Sequence, residues 1–163
     1  MSAKLGFRET AMETSYSYTV NGHWTGARTG SVSPEEITLP VFFSAPAEFG
    51  GEPGHWTPEH MLVGAVASCY LATFSAMAQN SKLRFLDLEL SVHGTLTKDP
   101  EGWRFTEFCI QPTITLENDA DEDRAIRLMQ KAERTCLIAR SLSARVLLQP
   151  EIQAAEPDLI FAE

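Results

Sequence analysis

The stretch WTPEHMLVGAVASCYLATFSAMAQN, residues 56–80, decides the fold because its central part carries no charge. No charged residue occurs from Met61 to Ala78, which is just long enough to raise the alternative of a membrane span. The run is crowded with alanine, serine, threonine and glycine, and no basic flank anchors it. We therefore expect a helix that is apolar nearly all round and is buried inside protein rather than in a membrane.

The ends of this helix carry ordinary boundary signals. Thr57 is a good N-cap, Pro58 suits the first helical position, and Glu59 favours the positive end of the helix. The pattern predicts a helix that runs to about Asn80. Cys69 lies near its middle, and two interpretations stay open, since a free cysteine is either a small core hydrophobe or a reactive group.

The composition is typical of a soluble globular protein. The 163 residues suit one domain, with 44 % hydrophobic and 21 % charged residues. Thirteen basic and 22 acidic side chains give a net charge of −9 without any cluster of Lys or Arg, which disfavours nucleic acid and anionic lipid as partners. The N-terminus lacks the apolar core of a signal peptide, so we expect a cytoplasmic protein.

Alternating and turn-forming segments predict an α+β protein with six mainly antiparallel strands. The turn sequence DPEG joins two long alternating runs as a hairpin. A second helix is expected over residues 119–142, since its start is acidic and its end basic. Residues 21–26 are expected to form a turn, and residues 45–56 a long, partly rigid loop. Strands are expected at residues 15–20, 27–32, 36–44, 87–99, 103–117 and 143–153. The chain is therefore predicted to form one α+β domain over residues 1–163.

The two helices have more apolar surface than six strands could bury. The first is apolar nearly all round, and the second has an apolar stripe at helical spacing. An intertwined homodimer that buries the central helix against its symmetry mate is the economical solution. The small residues of that helix permit close approach.

The three cysteines do not form the close pairs of a zinc site, and in a cytosolic chain they argue against a structural disulfide framework. Cys109 falls on a predicted strand, where a bystander role is expected. Cys136 lies toward the end of a predicted helix, where the dipole opposes a thiolate. Cys69 is in mid-helix, so we expect an external cation, such as an arginine held by a carboxylate, to lower its pKa.

The segments WTPEHMLVGAVASCYLATF and AERTCLIARSL, with TGARTGSV and SAPAEFGG before them, resemble the OsmC/Ohr family (osmotically inducible protein C and organic hydroperoxide resistance proteins). The shared pattern is a Pro-Glu helix start, a small-residue helix with a cysteine ten residues after the Glu, and a second helix carrying another cysteine. The resemblance covers nearly the whole chain. It implies an OsmC-like fold, with sheets wrapped around long central helices in an intertwined homodimer.

The resemblance also implies a peroxidase that uses two cysteines and neither metal nor other cofactor. By the family pattern Cys69 is the peroxidatic cysteine and Cys136 the resolving one. Glu59 matches the family's carboxylate, and Arg28 in TGARTG matches the arginine that pairs with thiolate and carboxylate together. Glu59 lies ten residues before Cys69, about 15 Å along a straight helix, so its role needs a bridging group or a break near Gly64.

Several other side chains have two interpretations each. Phe49 and Trp56 either line an apolar approach for the substrate or belong to the core. His55 and His60 flank Glu59, but two histidines across a Pro-containing turn are weak evidence, and we expect no metal site. Arg28 by itself is typical of a solvated surface position after a Gly-rich turn.

The leading hypothesis is a thiol-dependent peroxidase that reduces organic hydroperoxides through a Cys69 sulfenic acid and a Cys69–Cys136 disulfide. The resemblance implies an external dithiol reductant, often a dihydrolipoyl group. Leu137 follows the second cysteine, where the family usually has proline, and this leaves an alternative open. The alternative is a non-peroxidatic OsmC-like protein that binds a small apolar or thiol ligand in the dimer cleft. A third hypothesis is a stable dimer whose cysteines only pack.

Overall fold

The structure, a computed structural model, describes residues 14–153 of the chain. It has an α+β architecture that divides into two compact units, residues 1–56 and residues 57–163. Single-domain organisation over residues 1–163 stays a prediction. Most of the N-terminal segment that we inspected for a signal peptide lies outside the described residues.

The described part of the first unit contains a three-stranded antiparallel sheet. Its strands are β1 (Asn21–Gly26), β2 (Thr29–Ser33) and β3 (Val41–Ser44), in the order β1-β2-β3. The expected turn over residues 21–26 is thus wrong, because the chain reverses just after it. Gly26 and Ala27 adopt positive φ angles of 141° and 41°, which form the tight connection between β1 and β2.

The strand predicted at residues 15–20 is also wrong. Residues 14–20 form no regular element and pair with no strand among the described residues. Tyr16 and Tyr18 are 80 % and 92 % exposed, so the alternation that suggested a strand has no sheet to join within residues 14–153.

The loop after β3 is held by local backbone and side-chain contacts. Its backbone includes a 3-10 turn at Ala47–Phe49. Ser44 is fully buried, and its hydroxyl accepts a hydrogen bond from the Glu52 N–H at 2.8 Å. A Cβ atom at Gly51 would lie 1.7 Å from the Ala45 carbonyl oxygen, so only glycine fits there.

The second unit begins with the long helix and continues into a mixed sheet. Thr57 caps the helix as predicted, accepting a hydrogen bond from the His60 N–H at 3.2 Å. The elements are α1 (Pro58–Ser81), β4 (Phe85–Asp99), β5 (Gly102–Leu116), α2 (Glu122–Thr135), α3 (Leu137–Ser141), β6 (Arg145–Leu148) and β7 (Glu151–Gln153). The single helix expected over residues 119–142 is therefore two helices that meet at Cys136, whose extended backbone ends α2.

The hairpin of β4 and β5 forms the centre of this sheet, as its alternating pattern predicted. The Asp99 carboxylate closes its turn, accepting hydrogen bonds from the N–H groups of Glu101 and Gly102 at 2.9 and 3.1 Å. β6 and β7 both pair with β5 in parallel, one after the other along the same edge. The final strand predicted at residues 143–153 is thus interrupted, with Pro150 in the gap.

The hydrophobic core of the second unit lies between α1, the inner face of the sheet and α2. Helix α1 contributes residues that are four positions apart, and strand β5 contributes alternate residues. Helix α2 contributes residues spaced by about one helical turn. Its fully buried members include Val66, Tyr70, Phe74, Phe108, Ile110, Ile114, Ala125, Met129 and Ala132.

The opposite face of α1 is exposed in the described chain, and it consists of small residues: Ser68, Ala72, Ser75 and Ala76. By length and composition α1 is apolar enough to cross a membrane, a test that the core helix of a soluble protein also passes. Its stripe of Tyr70 and Phe74, both fully buried, packs within the protein core. The helix is therefore a core helix with one uncovered side.

Candidate thiol active site

The structure brings Cys69 and Cys136 close enough together that each thiol shifts the pKa of the other. Cys69 is half-buried in the middle of α1, and Cys136 is fully buried at the bend between α2 and α3. The two helices pack against α1 on the side that carries Cys69. Two sulfurs within hydrogen-bonding reach can form a disulfide with little movement of the chain.

The Cys69 thiol is set up to ionise. Partial burial is the largest single influence and raises its pKa, but four hydrogen bonds together hold the pKa below its ordinary value. The donors are the backbone N–H of Ile138, the Cys136 thiol, the backbone N–H of Leu137 and the Thr73 hydroxyl. Since hydrogen bonds to the charged form favour it, Cys69 is the more readily ionised of the two thiols.

The Cys136 thiol is set up to stay protonated. Burial is the largest influence raising its pKa, and the neighbouring Cys69 sulfur raises it further by accepting a hydrogen bond from the Cys136 thiol and by charge repulsion. Backbone hydrogen bonds from Ala139 and Ile138 offset this only in part. The pair is therefore asymmetric, with the pKa of Cys69 lowered and the pKa of Cys136 raised.

This arrangement changes one sequence expectation. The pKa of Cys69 is lowered by hydrogen bonds, so a cation is not required to lower it. The sequence argument missed the donors because it placed Cys136 inside one continuous helix, whose N–H groups would all be used internally. Thr73 was detectable, since residues four apart on a helix are neighbours. The bend that frees Leu137 and Ile138 has no Pro or Gly to signal it.

Glu59 lies in the first turn of α1, which continues without a break past Gly64. A break that brings Glu59 to Cys69 is thus ruled out, and with about 15 Å of helix between them only a bridging group remains. The Oε2 atom of Glu59 is buried and has no hydrogen-bond partner among residues 14–153. A buried carboxylate oxygen without a donor is costly, so this atom is suited to accept from a cationic group.

Arg28 follows the turn between β1 and β2 in the first unit. Its side chain is exposed, and its Nη1 atom donates a hydrogen bond to the carbonyl oxygen of Phe49. Gly50, at a φ of 77°, lies beside the guanidinium group. The structure thus brings Arg28 and Phe49 together. Pairing of Arg28 with Glu59 and with the Cys69 thiolate stays a prediction.

The remaining candidates have local roles. The backbone of Trp56 is tied to β3 by a hydrogen bond from the Ser44 N–H at 2.9 Å, while its side chain is 55 % exposed. Its substrate contact, like that of Phe49, stays a prediction. His55 lies 3.7 Å from Glu52, and no group of three or more metal-binding side chains occurs within residues 14–153.

Cys109 lies on strand β5, whereas Cys69 lies on α1 and Cys136 lies between α2 and α3. It sits on β5 opposite His93 and between the fully buried Phe108 and Ile110. Because successive strand residues point to opposite faces, Cys109 faces away from the core that holds α1. Cys109 therefore lies on the other face of the sheet from the core that α1 and α2 share.

Residues 50–151 match the model of the family described as OsmC-like protein. The chain is also 33 % identical over 136 residues to the uncharacterized protein YmaD of Bacillus subtilis (strain 168), covering 81 % of this chain and 90 % of that protein. This chain belongs to the OsmC-like family.

Other members of the OsmC-like family are named for organic hydroperoxide resistance. One is the organic hydroperoxide resistance protein-like 1 of Staphylococcus saprophyticus, 23 % identical over 122 residues, which cover 75 % of this chain and 85 % of that protein. The fold matches a solved OsmC-like protein of unknown function from Vibrio cholerae with a TM-score of 0.75 at 16 % identity, covering 83 % of this chain and 99 % of that one. The OsmC-like fold expected from the sequence is thereby confirmed.

Proposed function

We propose that this protein is a thiol-dependent peroxidase that reduces organic hydroperoxides to alcohols. The observation that carries the proposal is the asymmetric pair, in which the pKa of Cys69 is lowered and the pKa of Cys136 is raised. A low-pKa sulfur beside a protonated second thiol is the arrangement that a two-cysteine peroxidase needs. The family's members named for organic hydroperoxide resistance support the choice of substrate.

The reaction has three steps. The Cys69 thiolate attacks the distal oxygen of the hydroperoxide, the O–O bond breaks, and the alkoxide leaves with a proton as the alcohol, so that Cys69 becomes a sulfenic acid. The Cys136 sulfur then attacks the Cys69 sulfur and water leaves, which forms the Cys69–Cys136 disulfide. An external dithiol, of which a dihydrolipoyl group is the family's usual type, reduces the disulfide by thiol exchange. No metal or other cofactor takes part.

Arg28 and Glu59 complete the proposed site. From the family pattern we assign Arg28 as the cation that pairs with the Cys69 thiolate and with Glu59, whose buried Oε2 atom has no hydrogen-bond partner among residues 14–153. This places the cation where charge develops when the O–O bond breaks. Phe49 and Trp56 are assigned to the apolar part of the substrate.

We further propose that the protein acts as an intertwined homodimer in the cytoplasm. The support is the exposed face of α1, where small uncharged residues form one side of an otherwise buried helix. Small residues let two helices approach closely, so a second copy is the matching cover for this face. The exposed Tyr16 and Tyr18 of the first unit add apolar area that an extended partner would bury.

The test is a mass measurement on the reduced protein, before and after one equivalent of cumene hydroperoxide. We expect the loss of two hydrogens and a crosslinked peptide that joins Cys69 to Cys136, formed faster than with hydrogen peroxide. Cys69→Ser abolishes turnover, and Cys136→Ser reacts once and stops at the sulfenic acid. Cys109→Ser is the matched control and keeps the full cycle.

An unchanged mass, with both thiols still slow to alkylate in the native protein, would sink the peroxidase proposal. That result favours the second candidate, an OsmC-like protein that binds a small apolar or thiol ligand without turning it over. The observation that supports this candidate is the buried Glu59 oxygen, which offers a ligand a fixed acceptor.

A further inference from the structure

Trp24 is an exposed tryptophan on β1 whose indole reaches the turn that precedes Arg28. The residue is 72 % exposed, so burial within the described chain explains little of its presence. Its Nε1–H group donates a hydrogen bond to the carbonyl oxygen of Ala27 at 3.1 Å. That carbonyl belongs to the peptide unit that joins Ala27 to Arg28. The indole therefore acts directly on the backbone that carries the proposed cation.

The turn between β1 and β2 has a backbone that needs such support. Ala27 has a φ of 41°, in the left-handed region that residues with a Cβ atom rarely adopt. Such a conformation persists where the surrounding contacts hold it. The carbonyl oxygen of Gly26 accepts a hydrogen bond from the Thr29 hydroxyl at 2.7 Å. Each of the two turn carbonyls is thus held by a side chain, that of Gly26 from β2 and that of Ala27 from β1.

The peptide unit that follows Arg28 is held as well. The backbone N–H of Ala45, just after β3, donates a hydrogen bond to the Arg28 carbonyl at 3.0 Å. Since peptide units are planar, holding the one before and the one after Arg28 fixes the direction of its Cα–Cβ bond. The guanidinium group then donates to the Phe49 carbonyl oxygen. It also lies beside Gly50, where a Cβ atom would be 3.6 Å from its Cζ atom.

We propose that Trp24 is a positioning residue, whose indole N–H fixes the backbone before Arg28 and so directs the guanidinium group. Its effect on turnover rests on the proposed peroxidase function, in which Arg28 is the cation. Its hold on the Arg28 backbone does not rest on that function. Loss of the indole N–H loosens Arg28 and, through Arg28 alone, slows the reaction.

Two variants of Trp24 remove the donor. Benzothienylalanine at this position exchanges the indole N–H for a sulfur atom and keeps the size and shape of the ring. Trp24→Phe also lacks the donor and needs only ordinary mutagenesis. Trp103→Phe is the matched control, because Trp103 is a 54 % exposed tryptophan on β5 of the second unit. Circular dichroism verifies the fold of each variant.

The first measurement is hydrogen exchange of two neighbouring backbone amides, followed by NMR. The Ala45 N–H bonds to the Arg28 carbonyl, whereas the Ser44 N–H bonds to the Trp56 carbonyl at 2.9 Å. We expect both Trp24 variants to speed exchange at Ala45 by about three- to ten-fold, as the loss of one hydrogen bond allows, and to leave Ser44 unchanged. A general loosening of the sheet speeds exchange at both amides. Unchanged exchange at Ala45, or an equal increase at Ser44, would overturn the proposal.

The second measurement is kcat/KM for cumene hydroperoxide, with and without the arginine. We expect the Trp24 variants to lower kcat/KM by about three- to ten-fold in the natural background and to leave it unchanged in Arg28→Gln. Trp103→Phe leaves it unchanged in both. A decrease of equal size in both backgrounds contradicts an action through Arg28.

The two measurements separate this proposal from the proposed function. A natural protein that does not reduce cumene hydroperoxide rejects the peroxidase function, and the exchange rates of Ala45 and Ser44 then decide the role of Trp24 by themselves. An active protein whose Trp24 variants show natural exchange rates retains the peroxidase function and rejects the positioning role.

Discussion

At the scale of single residues, the lowered pKa of Cys69 depends on four donors that differ in how they can be changed. Two are backbone N–H groups, one is the Cys136 thiol, and one is the Thr73 hydroxyl. Thr73 lies four residues after Cys69, so its side chain reaches the sulfur along the same face of α1. It is the donor that ordinary mutagenesis isolates best.

We predict that Thr73→Val raises the pKa of Cys69, because a methyl group replaces the hydroxyl and the shape stays similar. Titration of the thiolate absorbance in fully reduced protein, with Cys69→Ser to identify the signal, measures this change. Thr73→Ser is the control, since it keeps the hydroxyl and restores a pKa close to that of the natural protein. A Val variant that titrates like the Ser variant would show that the hydroxyl does not act on the sulfur.

At the scale of secondary-structure elements, the sequence predicted those parts that local signals determine. The cap at Thr57 and Pro58 located α1, and strict alternation located the hairpin of β4 and β5. The prediction of a strand at residues 15–20 was wrong, because alternating hydrophobicity shows that a segment is compatible with a strand but not that a partner strand is available to pair with it. Strand pairing depends on the tertiary structure, and the hydrophobic periodicity of one segment carries no information about it.

The candidate site was predictable to the same extent. Cys69 and Cys136 could be chosen from helical faces and from the resemblance, whereas their common environment could not. It depends on the bend at Cys136, where Leu137 and Ile138 turn two N–H groups onto the sulfur. No Pro or Gly marks this bend, so tertiary packing overrides a sequence that favours a continuous helix.

The exposed face of α1 gives a prediction at the same scale. We expect Ala72→Glu to convert the proposed homodimer into a monomer, because it places a carboxylate where two small-residue faces would meet. Sedimentation equilibrium measures the mass of the assembly. Thr95→Glu, at an exposed position of β4, is the control and leaves the dimer intact. A monomeric natural protein, or a dimeric Ala72→Glu, contradicts the proposed interface.

At the scale of the whole molecule, the thiol pair makes stability depend on pH. The lowered pKa of Cys69 means that the native state binds fewer protons than the unfolded chain between that pKa and the ordinary value of about 8.5. This contribution is fully present above the ordinary value and is lost as the pH falls through the lowered pKa. Cys136, with its raised pKa, stabilises the folded state at pH values below the ordinary thiol pKa. This contribution is lost as the pH rises through the raised pKa of Cys136.

We therefore predict that the reduced protein becomes more stable as the pH rises toward the ordinary thiol pKa, and less stable beyond it. Urea unfolding in the presence of a reductant, repeated across this range, measures the effect. In Cys69→Ser the increase in stability with pH below the ordinary thiol pKa becomes shallower, because the group with the lowered pKa has been removed. A Cys69→Ser series parallel to that of the natural protein would show that the thiolate does not contribute to folding.

The position of the donors along the chain has a consequence for biosynthesis. Cys69 leaves the ribosome well before Cys136, Leu137 and Ile138 have been joined to the chain, and at about 5–20 residues per second the interval lasts on the order of ten seconds. During that time the sulfur has none of these three donors and behaves as an ordinary, mostly protonated thiol. Oxidants are therefore expected to react slowly with Cys69 in the nascent chain. The proposed thiol site is therefore complete only after α3 has been added to the chain and has packed against α1.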